Sequence, residues 1–199
     1  MLKLPENFEN YADARKAGFL KMKDLKEAGK KVVGIYCTFV PTELVEAAGG
    51  AVVSLCASSE EPIPAAENHL PRNLCPLIKA SYGFALQDTC PYFYFSDFIV
   101  GETTCDGKKK MYEMLGEFKD VHCMELPNRQ SLMGRKLWRE EVVALKEKLE
   151  EKFGVEITEE EVRKQVSINN KNRLALRHFY ELMKLDPPPM AGLNLYSVL

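Results

Sequence analysis

The sequence predicts an α/β fold: an open parallel sheet flanked by helices, followed by a helical extension. Three observations lead there. Short apolar runs, Val32-Val33-Gly34-Ile35-Tyr36, Ala51-Val52-Val53-Ser54-Leu55 and Phe98-Ile99-Val100, alternate with segments of helical length. The first two runs enclose one helix, and a strand–helix–strand unit implies a parallel pair joined by a right-handed crossover. Beyond Pro127 the composition changes to charged helices. With 199 residues the chain is long enough to bury one substantial core. The expected architecture is Rossmann- or flavodoxin-like over residues 1–128, with the extension over 129–199.

Residues 11–28 read as an amphipathic helix with Tyr11, Ala14, Met22 and Leu25 on one face and Phe19 near its edge, closed by Gly29. Residues 31–36 are the first strand. Pro41 stands near the start of the next helix, where its missing N–H costs little, and that helix ends at Gly49-Gly50. Residues 51–55 make the second strand. Residues 58–71, with Pro62, Pro64 and Pro71, read as a loop at the ligand end, either a lid or a surface excursion. A helix over 76–86, a third strand within 93–100 and a helix over 106–118, with Asp106 as its cap, come next. In a fourth strand over 121–126, Val121, Cys123 and Glu125 share one face, and His122, Met124 and Leu126 the other. Cys123 and Cys56 read as core or structural. Residues 131–153 carry Leu137, Val142, Leu145 and Leu149 among many Lys and Glu, which suits packing on one face. Thr158 and Glu161 form a capping-box signature for a helix to about residue 184, halted by Pro187-Pro188-Pro189.

Composition excludes several classes. The formal net charge is −2 with acids and bases interspersed, so neither nucleic acid nor a membrane surface is an expected partner. The Lys108-Lys109-Lys110 run reads as a solvated helix face. Apolar runs are too short to cross a bilayer, and Met1-Leu2-Lys3-Leu4-Pro5-Glu6 lacks a signal-peptide pattern. Six cysteines without secretory context favour a reducing cytoplasm. The stretch from Gly101 to Lys108 echoes a phosphate-binding loop. Its glycines are one residue too far apart and Lys109 takes the Ser/Thr position, which argues against ATP binding by this chain. His69, His122 and His178 are scattered, so a mixed Cys/His zinc site is not expected.

Cys37, Cys75 and Cys105 each stand where a short apolar run gives way to a helix-start signal. In open α/β sheets, ligands collect beyond the carboxyl ends of the strands. The positive end of a helix macrodipole stabilises a thiolate, which favours Cys75 and Cys105 as ligands. Three thiolates converging there would suit an iron–sulfur cluster. Spacing by itself leaves core packing and zinc open, since no CxxC occurs and Cys56, Cys90 and Cys123 are spread almost as evenly. Glu43 and Glu102 lie close to these thiols in sequence and are weak catalytic candidates, able to tune protons or substrate; capping and solvent exposure are the competing roles.

Gly34-Ile35-Tyr36-Cys37-Thr38-Phe39-Val40-Pro41-Thr42-Glu43-Leu44-Val45-Glu46-Ala47-Ala48-Gly49 resembles the opening motif of the 2-hydroxyacyl-CoA dehydratase and benzoyl-CoA reductase family. Asp88-Thr89-Cys90-Pro91-Tyr92-Phe93-Tyr94-Phe95-Ser96-Asp97, with Thr104-Cys105-Asp106-Gly107-Lys108-Lys109-Lys110-Met111-Tyr112-Glu113, is similar to the branch that carries a double-cubane iron–sulfur cluster. The resemblance runs through essentially the whole chain, yet the chain looks like the N-terminal part only of such a protein. Members usually have a second α/β domain with further cysteine ligands. The resemblance implies an iron–sulfur cluster, [4Fe-4S] or double-cubane, with Cys37, Cys75 and Cys105 as ligands and Cys90 as a further candidate. It also implies low-potential, anaerobic electron chemistry: a separate ATP-hydrolysing iron–sulfur activator injects electrons, and the cluster passes them to a small-molecule or acyl-CoA substrate. A homo- or heterodimer is expected. Acyl-CoA dehydratases often fill the position of Cys37 otherwise, which tilts the resemblance towards an oxidoreductase component. A 2-hydroxyacyl-CoA dehydratase subunit working by radical dehydration, and a truncated cluster-free domain with no enzymatic role, are the alternatives.

Overall fold

Four short parallel strands form the middle layer of the computed structural model, which describes residues 11–57 and 59–198. They are β1 (Val32–Ile35), β2 (Ala51–Ser54), β3 (Phe98–Glu102) and β4 (Val121–Met124), in the order β2-β1-β3-β4. Val33 stands beside Val52 on one side and Phe98 on the other, and Val100 beside His122. Successive strand residues point to opposite faces, so Val32 and Val33 are both fully buried but belong to different cores. That is the pattern of a parallel sheet covered on both sides.

The first face is covered by α1 (Tyr11–Glu27), α3 (Ile63–Ala66), α4 (Pro76–Leu86), α5 (Pro91–Phe95) and α6 (Asp106–Leu115). Their Met22, Ala66, Ile78, Tyr82, Phe93, Met111 and Leu115 pack with Val32, Val53 and Ile99. On the second face, α2 (Thr42–Ala47) and α7 (Leu132–Phe153) set Leu44, Val45, Leu145 and Leu149 against Val33, Phe98, Val100 and Met124. A long α8 (Glu159–Glu181) lies on α2, and a 3-10 turn (Leu182–Lys184) and α9 (Gly192–Val198) follow. Among the described residues no helix is long and apolar enough to cross a membrane.

The local signals act as chemistry requires. Gly29, at φ 77°, ends α1 in a Schellman motif: the Lys30 N–H donates to the Leu25 carbonyl and the Gly29 N–H to that of Lys26, both at 2.9 Å. Ser131 Oγ accepts the Gly134 N–H at 3.0 Å to open α7, and Thr158 Oγ1 accepts the Glu161 N–H at 3.3 Å to open α8. The Glu161 carboxylate does not close the box; it turns to Lys164.

Several expectations are corrected. Residues 58–71 are not simply a loop: α3 forms there, and Ala66 and Leu70 are buried in the first core. The segment is docked on α4. Pro62 lies so close to Gly83 that a Cβ would stand 2.2 Å from its carbonyl oxygen, and Lys79 Nζ binds Glu67 Oε1 and the Arg72 carbonyl, each at 2.7 Å. The stretch 93–100 begins as helix α5, because Pro91 presets the first helical turn and Cys90 caps it, so the third strand starts only at Phe98. Asp106 is not a cap: Cys105 takes that position, and Asp106 pairs with Lys109 at 3.3 Å. Lys108 is buried, at 6% exposure, because it shares the inward face of α6 with Met111, Tyr112 and Leu115. Cys56 and Cys123 are exposed: Cys56 lies in the loop beyond the end of β2, and Cys123 stands on the edge strand β4. Beyond the proline run the chain becomes helical again as α9. Of the face read for α1, Met22 is buried and Leu25 half-buried; the side chains of Tyr11, Ala14 and Phe19, like residues 1–10 and Ser58, lie outside the described residues.

Candidate functional site

β1 and β3 are neighbours in the sheet, but the chain leaves β1 towards the second face through α2 and leaves β3 towards the first through α6. This divergence makes the carboxyl ends of the two strands a topological switch point, where ligands of open α/β sheets collect. Cys37 lies in the loop that follows β1, at φ 59°, a left-handed conformation that costs a non-glycine residue about 1 kcal/mol. The surroundings hold it there. Its Sγ is 3.6 Å from Thr104 Oγ1 and accepts a hydrogen bond from Lys108 Nζ. The Phe39 and Val40 amides then donate to Glu102 Oε1 at 2.7 and 3.0 Å. A hydroxyl, an ammonium and a carboxylate from the β3–α6 segment therefore pin the β1 loop.

Glu102, the last residue of β3, has 0% exposure, and its Oε2 has no partner among the described residues. Burial pushes its carboxyl above the usual carboxylate range, although the Phe39 and Val40 amides and the Lys108 charge pull the other way. Lys108 Nζ also stands 5.6 Å over the ring of Tyr36, which is itself 5.7 Å from that of Tyr112. Tyr112 fills the space a side chain at residue 101 would need: a Cβ on Gly101 would be 2.4 Å from its Cζ. Burial raises both phenols, and for Tyr112 the neighbouring Glu102 and Cys37 add to the effect, so both hydroxyls stay neutral.

Cys75 and Cys105 occupy the N-cap positions of α4 and α6. Both are exposed and neither thiol caps its helix. The two helix starts touch, since a Cβ on Gly107 would stand 2.6 Å from Ile78 Cδ1 and 3.0 Å from Leu74 Cδ1. The segment of Cys75 thus abuts that of Cys105, and Thr104 beside Cys105 abuts Cys37. Among the described residues, no three His, Cys, Asp or Glu side chains stand close enough together to hold a metal ion. Cys90 is in the segment that enters β3 from its amino end; it is half-buried against the first core and accepts the Phe93 N–H at 3.4 Å.

Glu43 is buried and faces α8. Burial works against its ionisation, but backbone hydrogen bonding, Arg173 and Asn169 outweigh it and hold the carboxyl below its ordinary value. His69 Nδ1 is engaged with the Tyr82 hydroxyl at 3.1 Å. Sequence reasoning did not single out Lys108, Thr104, Tyr36, Tyr112 or Gly101. The inward spacing of Lys108, Met111, Tyr112 and Leu115 was the available signal for the first of them.

The donor set is soft: reduced thiols at two helix starts and a third beside an ammonium and a hydroxyl. It suits a thiolate-held cluster far better than an oxygen-seeking cation.

A family model described as 2-hydroxyglutaryl-CoA dehydratase, D-component, matches residues 37–199. The chain is 54% identical over 196 residues to the putative dehydratase subunit YjiM of Escherichia coli (strain K12), covering 98% of this chain and 51% of that protein. It is 26% identical over 170 residues to the (R)-phenyllactyl-CoA dehydratase beta subunit of Clostridium sporogenes, covering 83% and 44% of the two chains. With the (R)-2-hydroxyglutaryl-CoA dehydratase, subunit beta, of Acidaminococcus fermentans the identity is 25% over 189 residues, covering 92% and 48%. The chain spans about half the length of the curated relatives it matches.

Proposed function

The chain belongs to the 2-hydroxyglutaryl-CoA dehydratase D-component family, and we propose that it serves as the thiolate-bearing part of a subunit that acts in the dehydration of a 2-hydroxyacyl-CoA. Cys37, Cys75 and Cys105 would hold an iron–sulfur cluster, and Cys90, the further candidate, precedes β3 and so stands at the opposite end of that strand from Cys105. When bound, the cluster supplies one-electron chemistry at low potential. The residues around it do the rest: Glu102 fixes the Cys37 loop through two amides, Lys108 sets an N–H on the Cys37 sulfur, and the starts of α4 and α6 present Cys75 and Cys105. The observation that carries this reading is the meeting of three thiol-bearing segments at the β1/β3 switch point, through the Cys37–Thr104 and Leu74–Gly107 contacts.

Two of the relatives are named as acyl-CoA dehydratase beta subunits, which supports a hetero-oligomer and an acyl-CoA substrate here. A separate ATP-hydrolysing activator would supply the electron. A second reading, a low-potential reductase component served by the same kind of activator, is favoured by the cysteine at position 37.

The test is iron and acid-labile sulfide content, with the visible spectrum, on protein purified without oxygen. Brown protein is expected, with iron falling in Cys75→Ala and Cys105→Ala and retained in Cys90→Ala. Protein that stays colourless after reconstitution would sink both readings. If iron binds, release of an enoyl-CoA from a 2-hydroxyacyl-CoA separates dehydration from reduction.

A further inference from the structure

The loop between β4 and α7 folds back over the first turn of α7, and it does so because residue 134 is glycine. A Cβ there would stand 2.5 Å from the Arg129 carbonyl oxygen and 3.1 Å from Pro127 Cβ. Between loop and helix lies a cavity of about 590 Å³ whose lining includes Arg129, Arg135, Arg139 and Trp138. Among the described residues no acidic one lines it. Among the described residues none of these three arginines is in an ion pair, whereas the next cation along α7, Lys136, faces Glu140 at 3.9 Å. Trp138 is half-buried and packs against the second core, so the indole is held in place where it meets the cavity. The Leu126 N–H donates to Thr103 Oγ1 at 2.8 Å, which ties this loop to the segment carrying Thr104 and Cys105.

Three unpaired guanidiniums and a fixed indole around one cavity of this size form a recognition set for an anion joined to a flat ring. We propose that this cavity binds a phosphorylated nucleoside, its phosphate oxygens taken by Arg129, Arg135 and Arg139 and its base laid against Trp138. The contact would be made by side chains and not by a glycine-rich phosphate loop. A free nucleotide and the nucleotide end of coenzyme A present the same chemistry, and either would lie beside the segment that carries Thr104 and Cys105. The site uses none of the thiols, so it stands or falls apart from the cluster reading.

Trp138 is the only tryptophan of the chain, so its fluorescence reports from the cavity itself. Iron-free protein is titrated with ADP, coenzyme A, adenosine and inorganic phosphate, with calorimetry as a second readout. Saturable quenching by ADP or coenzyme A is expected, with adenosine and phosphate each about tenfold or more weaker. Arg135 and Arg139 are exposed, so Arg135→Ala and Arg139→Ala are expected to keep the native circular dichroism while each weakens binding by about tenfold. Tighter binding of coenzyme A identifies the carrier of an ester as the ligand, and tighter binding of ADP a free nucleotide; both uphold the site. Absence of saturation by either at millimolar concentration, or unchanged affinity in both arginine variants, overturns it.

Discussion

Glu102 is a buried carboxyl that shares one oxygen between two amides, while the other has no partner among the described residues, an arrangement whose energy depends on its charge. Burial raises its folded value above the ordinary one that it has in the unfolded chain. Between the two values the native state keeps a proton that the unfolded state has released. Its contribution therefore falls as pH rises through that window and is most favourable below it. Glu102→Gln keeps an acceptor for the Phe39 and Val40 amides without the charge, and is expected to flatten this slope in urea unfolding followed from pH 4 to 8. Glu102→Ala leaves both amides without an acceptor, and a loss of about 2 kcal/mol or more is expected, with faster alkylation of Cys37 relative to Cys105. Single residues were unevenly legible in the sequence. The positions of Cys75 and Cys105 follow from helix-start signals, which are local. That Lys108 turns inward while Lys109 and Lys110 pair with Asp106 and Glu113 depends on which face of α6 the sheet covers, a fact of tertiary structure.

At the scale of elements, α8 is held to α2 by polar contacts: Arg173 pairs with Glu43, and Asn169 Nδ2 donates to Glu46 Oε2 at 2.7 Å. The lowered value of Glu43 means that its stabilisation is present above the ordinary carboxylate range and is lost as pH falls through the folded value. The Arg173 side chain is 56% exposed, so solvent screens the pair, and Arg173→Ala is expected to cost no more than about 1 kcal/mol. Its clearer signature is faster amide exchange along α8 at neutral pH, fading as the pH is lowered. Similar exchange rates in variant and wild type would show that the pair does not hold the helix. Helices with strong caps, α7 and α8, were legible to within a residue or two at their starts. The short α3 and α5 were not. Pro62 is an ordinary loop signal until Gly83 offers it a surface, and the alternating aromatics Tyr92-Phe93-Tyr94-Phe95 favour a strand wherever tertiary packing does not decide otherwise.

For the molecule as a whole, one thin sheet separates two cores. Met111 in the first and Leu149 in the second have no exposure, and truncating either to alanine is expected to cost about 2–5 kcal/mol. They share no core cluster, so in the double variant the losses are expected to add to within about 0.5 kcal/mol, measured by urea unfolding. A large coupling term would mean that the sheet transmits strain between its faces. The parallel layering was legible, because consecutive fully apolar strand residues call for cover on both sides. The order β2-β1-β3-β4 was not, because nothing local dictates on which side of β1 the third strand settles. The convergence of the thiol segments was hidden for the same reason. Finally, Cys56, Cys75, Cys105 and Cys123 all face solvent. A molecule built this way keeps a record of its contact with air. Samples left on the bench are expected to show a ladder of covalent multimers on a non-reducing gel, erased by dithiothreitol, while samples kept under nitrogen run as one band.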